Sequence, residues 1–241
     1  MISSDEYSDV LGLRWRQDVE RSTVDFLIGY SEHLHSRGEK LTPPISIERI
    51  ATEYLGLGLD VLPLKERFPQ VPLGPEDRLL GAMHWDPDSS EWTVYLDQDL
   101  EEGGHEGRIN FTMSHELAHY IFDLTDDEKA MASESRSMAA DESGPPRIFC
   151  RTSDAMTPIE RRADYAAACL LAPASLVKVH SKKWARRQGI ATGNTVKRMN
   201  WYDWRFLADQ LAKQFGTGWN TMKRRIYEVG LYSEYRELWA T

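Results

Sequence analysis

Two histidines four residues apart, His115 and His119, with Glu116 beside the first, carry the most specific chemistry in this sequence. They stand in Phe111-Thr112-Met113-Ser114-His115-Glu116-Leu117-Ala118-His119-Tyr120. Positions i and i+4 of a helix lie about one turn apart on one face, so both imidazoles can reach a single Zn²⁺ at roughly 2.0–2.1 Å. Glu116 is rotated by about 100° from His115. From there it cannot serve as a third ligand, but it can contact a water on the metal, which is where a general base must stand. A catalytic zinc takes three protein ligands and keeps one position open. The expected third ligand is Glu160, in Glu160-Arg161-Arg162-Ala163-Asp164. Asp164, one turn further on, is placed to accept the free N–H of a ligating histidine and so fix its tautomer. The expectation is one Zn²⁺ per chain, catalytic because a base and a carboxylate ligand accompany it.

Such a site needs two helices and something to hold them together. The segment from Ile109 to about Phe122 reads as one helix. Pro158 to Leu171 reads as the other, with proline at a favoured first position and Pro173 as its stop. Leu79–Trp85 and Trp92–Asp97 read as strands joined by the turn composition DPDSSE, hence an antiparallel hairpin. Leu59–Leu64 reads as a further strand. Residues 14–37 form an amphipathic pattern through Trp15, Val19, Phe26 and Tyr30, with Gly38 as the stop. A short helix follows, with Ile47, Ile50, Ala51 and Tyr54 on one side. Residues 65–78 and 98–107 read as loops, and 125–157 as an irregular insertion, disordered in the favoured reading and otherwise a lid or a self-inhibitory segment that leaves on a signal. In the tail, Leu207, Leu211 and Phe215 share a helix face. Gly216-Thr217-Gly218 makes a turn, and Trp219–Tyr227 carries Lys223, Arg224 and Arg225. Two helices about a glycine turn have the outline of a helix-turn-helix. The expected class is α+β, with an N-terminal helical segment (1–40), a core (41–173) and a basic helical tail (174–241).

Composition constrains the rest. With 241 residues, 41% hydrophobic and 28% charged, the chain can bury a sizeable core without disulfides. Residues 1–173 carry a net charge of −17 and residues 174–241 one of +8. The basic tail admits a nucleic-acid contact, although packing on the core is the favoured reading. On that reading Trp184, Trp201, Trp204 and Trp219 are core residues. Cys150 and Cys169 form no spaced framework, the start MISSDEYSDV is no signal peptide, and the longest apolar run is Tyr165–Ala172. A cytoplasmic protein with no membrane span is expected. His105, His180 and Tyr202 are weak candidates for an oxyanion donor. His84 reads as packed, and His33 and His35 as solvated.

At the two blocks the chain resembles the ImmA/IrrE family of zinc metallopeptidases. One block is Asn110–His119. The other is Glu160-Arg161-Arg162-Ala163-Asp164-Tyr165-Ala166-Ala167-Ala168-Cys169-Leu170-Leu171-Ala172-Pro173. It departs from the family where Ala166 replaces the usual aromatic and Cys169 an acidic residue, and in a long 125–157 segment. The resemblance implies a minimal gluzincin-like fold, zinc on His115, His119 and Glu160, and Glu116 as base. It also implies a protein substrate, typically a helix-turn-helix repressor. The competing expectation is a DNA-binding or antitoxin-like regulatory module whose zinc is not catalytic.

Overall fold

The computed structural model describes residues 13–74, 77–86, 89–102, 106–129, 148–151, 157–192, 195–196 and 199–231. It is α+β. Helix α1 (Leu13–Ser36) buries Leu27, Tyr30 and Leu34, and ends where Gly38 turns the chain at φ 77°. Helix α2 (Ile47–Arg49) is capped by the Ser46 side chain and runs on into a wider π turn, Ile50–Tyr54. Strand β1 (Gly58–Leu62) leads to a short helix α3 (Leu64–Arg67), which takes Leu64 from the expected strand and residues 65–67 from the expected loop. The Asp97 carboxylate caps that helix by accepting from the Leu64 amide at 3.0 Å.

The expected hairpin is present. Strands β2 (Leu79–Asp86) and β3 (Glu91–Asp97) pair antiparallel, with Gly81 opposite Leu96 and Trp85 opposite Trp92. Strand β1 lies parallel to β3 on its far side. A fourth strand, β4 (Ile148–Arg151), pairs antiparallel with the outer edge of β2, giving the order β1-β3-β2-β4. The segment 125–157 is therefore not irregular throughout: residues 126–129 are helical and 148–151 close the sheet. Residues 130–147 and 152–156 lie outside the described residues.

Alternation sorts the sheet into two faces. Met83, Trp85, Trp92, Val94 and Leu96 join Met113 and Leu117 in the main core. Leu79, Ala82 and Tyr95 pack on the opposite face with Leu64, Phe68 and Val71. His84 is buried on that second face against Phe68, as its strand position suggested.

Helix α4 (Asp99–Glu102) lies within the other expected loop, and α5 (Glu106–Phe122) and α6 (Pro158–Leu171) follow the expected helical segments. In the tail come α7 (Ala174–Arg187), a two-residue ladder of β5 (Ala191–Thr192) with β6 (Thr195–Val196), α8 (Trp201–Phe215) and α9 (Trp219–Glu228). Helix α8 starts well before Leu207 because Asn200 and Asp203 form a reciprocal capping box. Gly216 ends it in the left-handed conformation that the turn requires. Two tryptophans correct the expected tail core. Trp201 is 61% exposed and Trp219 37%, because both stand off the helix faces that bury Leu207, Leu211, Phe215 and Met222. Trp184 and Trp204 are partly buried against that cluster. His33 is also half-buried, lying against Tyr30 and Tyr54, whereas His35 is exposed.

Candidate metal centre

Two packing devices bring α5 and α6 together. Met113 and Leu117 seat α5 on the sheet, while Ala118 meets Ala163 and Ala166 of α6. Alanines at a helix contact let the axes approach closely. That is the structural use of Ala166. On the N-terminal side, the Thr157 hydroxyl accepts from the Glu160 amide at 3.2 Å and caps α6. Glu160 thus sits in the first turn, where the helix dipole favours a carboxylate.

The outer flank of α6 is tied across the whole chain. The buried guanidinium of Arg225 donates to the Ala172 carbonyl at 2.8 Å and to Glu20 of α1 at 2.5 Å. Glu20 also accepts from the Tyr165 hydroxyl and the Cys169 thiol, each at 3.2 Å. Burial raises the Glu20 pKa, but Arg225 outweighs it and holds the carboxyl below its ordinary value. Burial drives the Cys169 thiol well above its ordinary value, so it remains an inert thiol.

Between the helices the expected residues converge. His115 Nε2, His119 Nε2 and Glu160 Oε2 form a triangle with sides of 3.1, 3.0 and 3.5 Å. His115 is 3% exposed and His119 fully buried, and the group could hold a metal ion. The remaining ring nitrogens are engaged as well. Nδ1 of His115 donates to Asp164 at 2.9 Å, as the sequence spacing suggested. Nδ1 of His119 donates to Asp123 at 2.8 Å, and Asp123 is in turn held by Arg162. Both Nε2 atoms are thereby left to face a common point.

Glu116 is fully buried beside these rings. The strand above it comes close: a β-carbon at Gly81 would stand 2.8 Å from Thr112 Cγ2 and 2.9 Å from Glu116 Oε1. Glycine at 81 is what lets the sheet lie directly on the carboxylate.

The electrostatics favour a cation. Burial alone would push both imidazoles down. For His115, the bonds to Asp164 and Glu160 and the field of Glu116 win, raising it to about 10. For His119, Asp123, Glu160 and Glu116 do the same, to about 9. Glu160 is destabilised by burial yet held down to about 2 by the two histidines. Four carboxylates therefore surround two imidazoles, a cluster that draws positive charge whether as protons or as metal.

Asp123 escaped sequence reading, although a signal existed: it lies four residues beyond His119, one turn along the same face. Two of the oxyanion candidates, His180 and Tyr202, do not join the site. The His180 ring meets Gln214 at 2.7 Å and packs on Phe215, and Tyr202 is 76% exposed beside Trp201. His105 lies outside the described residues. Among the described residues no helix is long and apolar enough to cross a membrane. A scan against protein-family models gives no match for this chain, and a search of curated proteins gives none either.

Proposed function

We propose that the chain is a zinc-dependent endopeptidase with a minimal zincin-like core, acting on a protein regulator such as a helix-turn-helix repressor. One observation carries the reading: three donor atoms, two from histidines and one from Glu160, converge in a triangle while a further carboxylate, Glu116, is held buried beside them but outside it. Tetrahedral zinc with bonds near 2.0–2.1 Å sets its ligand atoms about 3.3 Å apart, and the triangle's sides of 3.1, 3.0 and 3.5 Å bracket that spacing. The two nitrogens and one carboxylate oxygen are a donor set typical of catalytic zinc. The arrangement of β1 to β4 beside α5 suits a zincin-like core.

His115, His119 and Glu160 would hold the ion, which when bound supplies Lewis acidity and lowers the pKa of water to about 7. Glu116 takes the proton from the attacking water and then delivers it to the leaving amine. Asp164 and Asp123 keep each imidazole in the tautomer whose Nε2 carries the lone pair. Burial of Glu116 at the foot of β2 strengthens the field at the reacting atoms. The repressor substrate rests on the resemblance of the two motif blocks alone.

The test is Glu116→Gln. It should retain about one zinc per chain and lose at least 10²-fold in turnover, the scale of general-base catalysis. Cleavage of a co-incubated repressor at the unsubstituted rate would refute the assignment. A second reading, in which the tail contacts nucleic acid, draws on one observation. Arg205 and Lys223 lie over the rings of the exposed Trp201 and Trp219, at 5.5 and 5.1 Å. A salt-sensitive gel shift that Trp201→Ala weakens would favour that reading.

A further inference from the structure

An extended peptide paired with the outer edge of β2 would run past Glu116, because Gly81 of that strand rests on its carboxylate. A strand edge offers alternating N–H and C=O groups that an extended chain can pair with. Hydrolysis requires the scissile carbonyl within about 3–3.5 Å of its attacking water. Gly81 is the β2 residue resting on the Glu116 carboxylate, so the ladder position beside Gly81 is the one that counts. Strand β2 has two sides. One is taken by β3, where Gly81 faces Leu96. The other is taken by β4, where Gly81 faces Cys150. Strand β4 also packs on α5, the helix that carries His115, Glu116 and His119.

We propose that Ile148–Arg151 is an internal mimic of the substrate: its backbone occupies the peptide-docking edge of β2 above the metal centre, and the enzyme is self-blocked until β4 leaves. The proposal rests on the peptidase reading and adds its regulation. Strand β4 is suited to leaving. It has four residues, and its register with β2 breaks between Leu79 and Gly81, so few ladder bonds hold it. An incoming peptide replaces those bonds with equivalent ones, which makes the exchange nearly balanced in backbone hydrogen bonds. Strand β3 is paired on both sides, to β1 and β2, and cannot be exchanged in this way.

Replacing Phe149 and Cys150 together by proline tests this. Adjacent ladder positions alternate in hydrogen bonding, so one of the two prolines must remove an N–H that points at β2. Phe149→Gly is the milder variant: it keeps every N–H and weakens the strand, and it decides the matter if circular dichroism shows the proline pair unfolded. The probe is a fluorescein-labelled synthetic peptide with the sequence of residues 146–153, added to zinc-free protein under reducing conditions. The anisotropy readout thus needs neither metal nor turnover. The proline pair should bind the peptide at least tenfold tighter than the unsubstituted chain, with Phe149→Gly between them. Equal binding by all three overturns the proposal. With zinc restored, casein cleavage should rise in the same order, and excess unlabelled peptide should suppress it. If binding ranks as expected but no variant cleaves casein, the edge assignment stands on binding alone, and the peptidase reading is decided by the Glu116→Gln comparison on the repressor. If all three cleave at one rate, the self-block falls and the peptidase reading stands.

Discussion

Loading the metal-free protein with zinc at pH 7 should release between one and two protons per ion. Both Nδ1–H groups are committed to carboxylates, at 2.9 Å for His115 and 2.8 Å for His119, so Nε2 is the titrating atom of each ring. The two rings are raised to about 10 and about 9. At neutral pH such groups are almost fully protonated, which sets the upper limit at two. The lower limit comes from geometry: the Nε2 atoms are 3.1 Å apart, so one N–H can donate to the other nitrogen and the pair keeps at least one extra proton. Zinc binds neutral imidazole, so these protons must depart. Two ordinary histidines, each with a pKa near 6.5, would release only about half a proton between them. The apparent affinity should accordingly rise about 10- to 100-fold per pH unit between pH 6 and 8. Titration calorimetry in buffers of differing ionisation enthalpy gives the count directly, and a chromophoric chelator in competition gives the slope. In Asp164→Asn, where His115 loses a charged acceptor, the count should fall. A release of half a proton or less from the unsubstituted chain would show that the carboxylates do not raise these rings, and the electrostatic account would fail.

Three further outcomes follow from the same geometry. Asp123→Ala strips His119 of its acceptor and should weaken zinc binding about 10- to 100-fold, measured by the same chelator competition; an unchanged affinity would deny Asp123 its positioning role. The metal-free protein should lose thermal stability as pH rises from about 7 through 9 and 10. Histidines raised in the folded state stabilise it fully only below their unfolded pKa near 6.5. Glu160, lowered to about 2, adds stability that is present above its unfolded pKa near 4.3 and is lost as pH falls towards 2. Melting curves with and without zinc check both limbs, and the zinc-loaded protein should lack the alkaline loss. Glu20→Ala leaves the buried Arg225 without its closest carboxylate, at 2.5 Å, and should cost about 3 kcal/mol in urea unfolding.

The helices of the site were legible because helical chemistry is local. The spacings 115/119 and 160/164 fix which residues share a face, and Thr157-Pro158 marks the start of α6 within one residue. The convergence of the two helices rested on the need of zinc for a third ligand rather than on any signal of packing. Strand β4 was not legible. Its four residues are too few to establish a period of two, and its place depends on a β2 edge more than sixty positions earlier. The link of Glu20 to Arg225 was likewise invisible, since partners 205 residues apart leave no pattern in either neighbourhood. Exposure of Trp201 was misjudged because an aromatic type says nothing about which side of a helix faces the core.

One contact bears on how the tail and the site relate. A β-carbon at Gly107, in the first turn of α5, would stand 2.6 Å from the backbone at Thr217 and Gly218, and Asn110 donates to the Gly216 carbonyl at 2.9 Å. The glycine turn between α8 and α9 is thus butted main chain to main chain against the root of the helix that bears both histidines. A molecule that grips the tail and tilts this turn therefore presses on α5 through the main-chain contact at Gly107 and the Asn110 hydrogen bond. The basic end of this protein thus abuts the helix that carries His115 and His119, and a load on one bears on the spacing of the His115–His119–Glu160 cluster in the other.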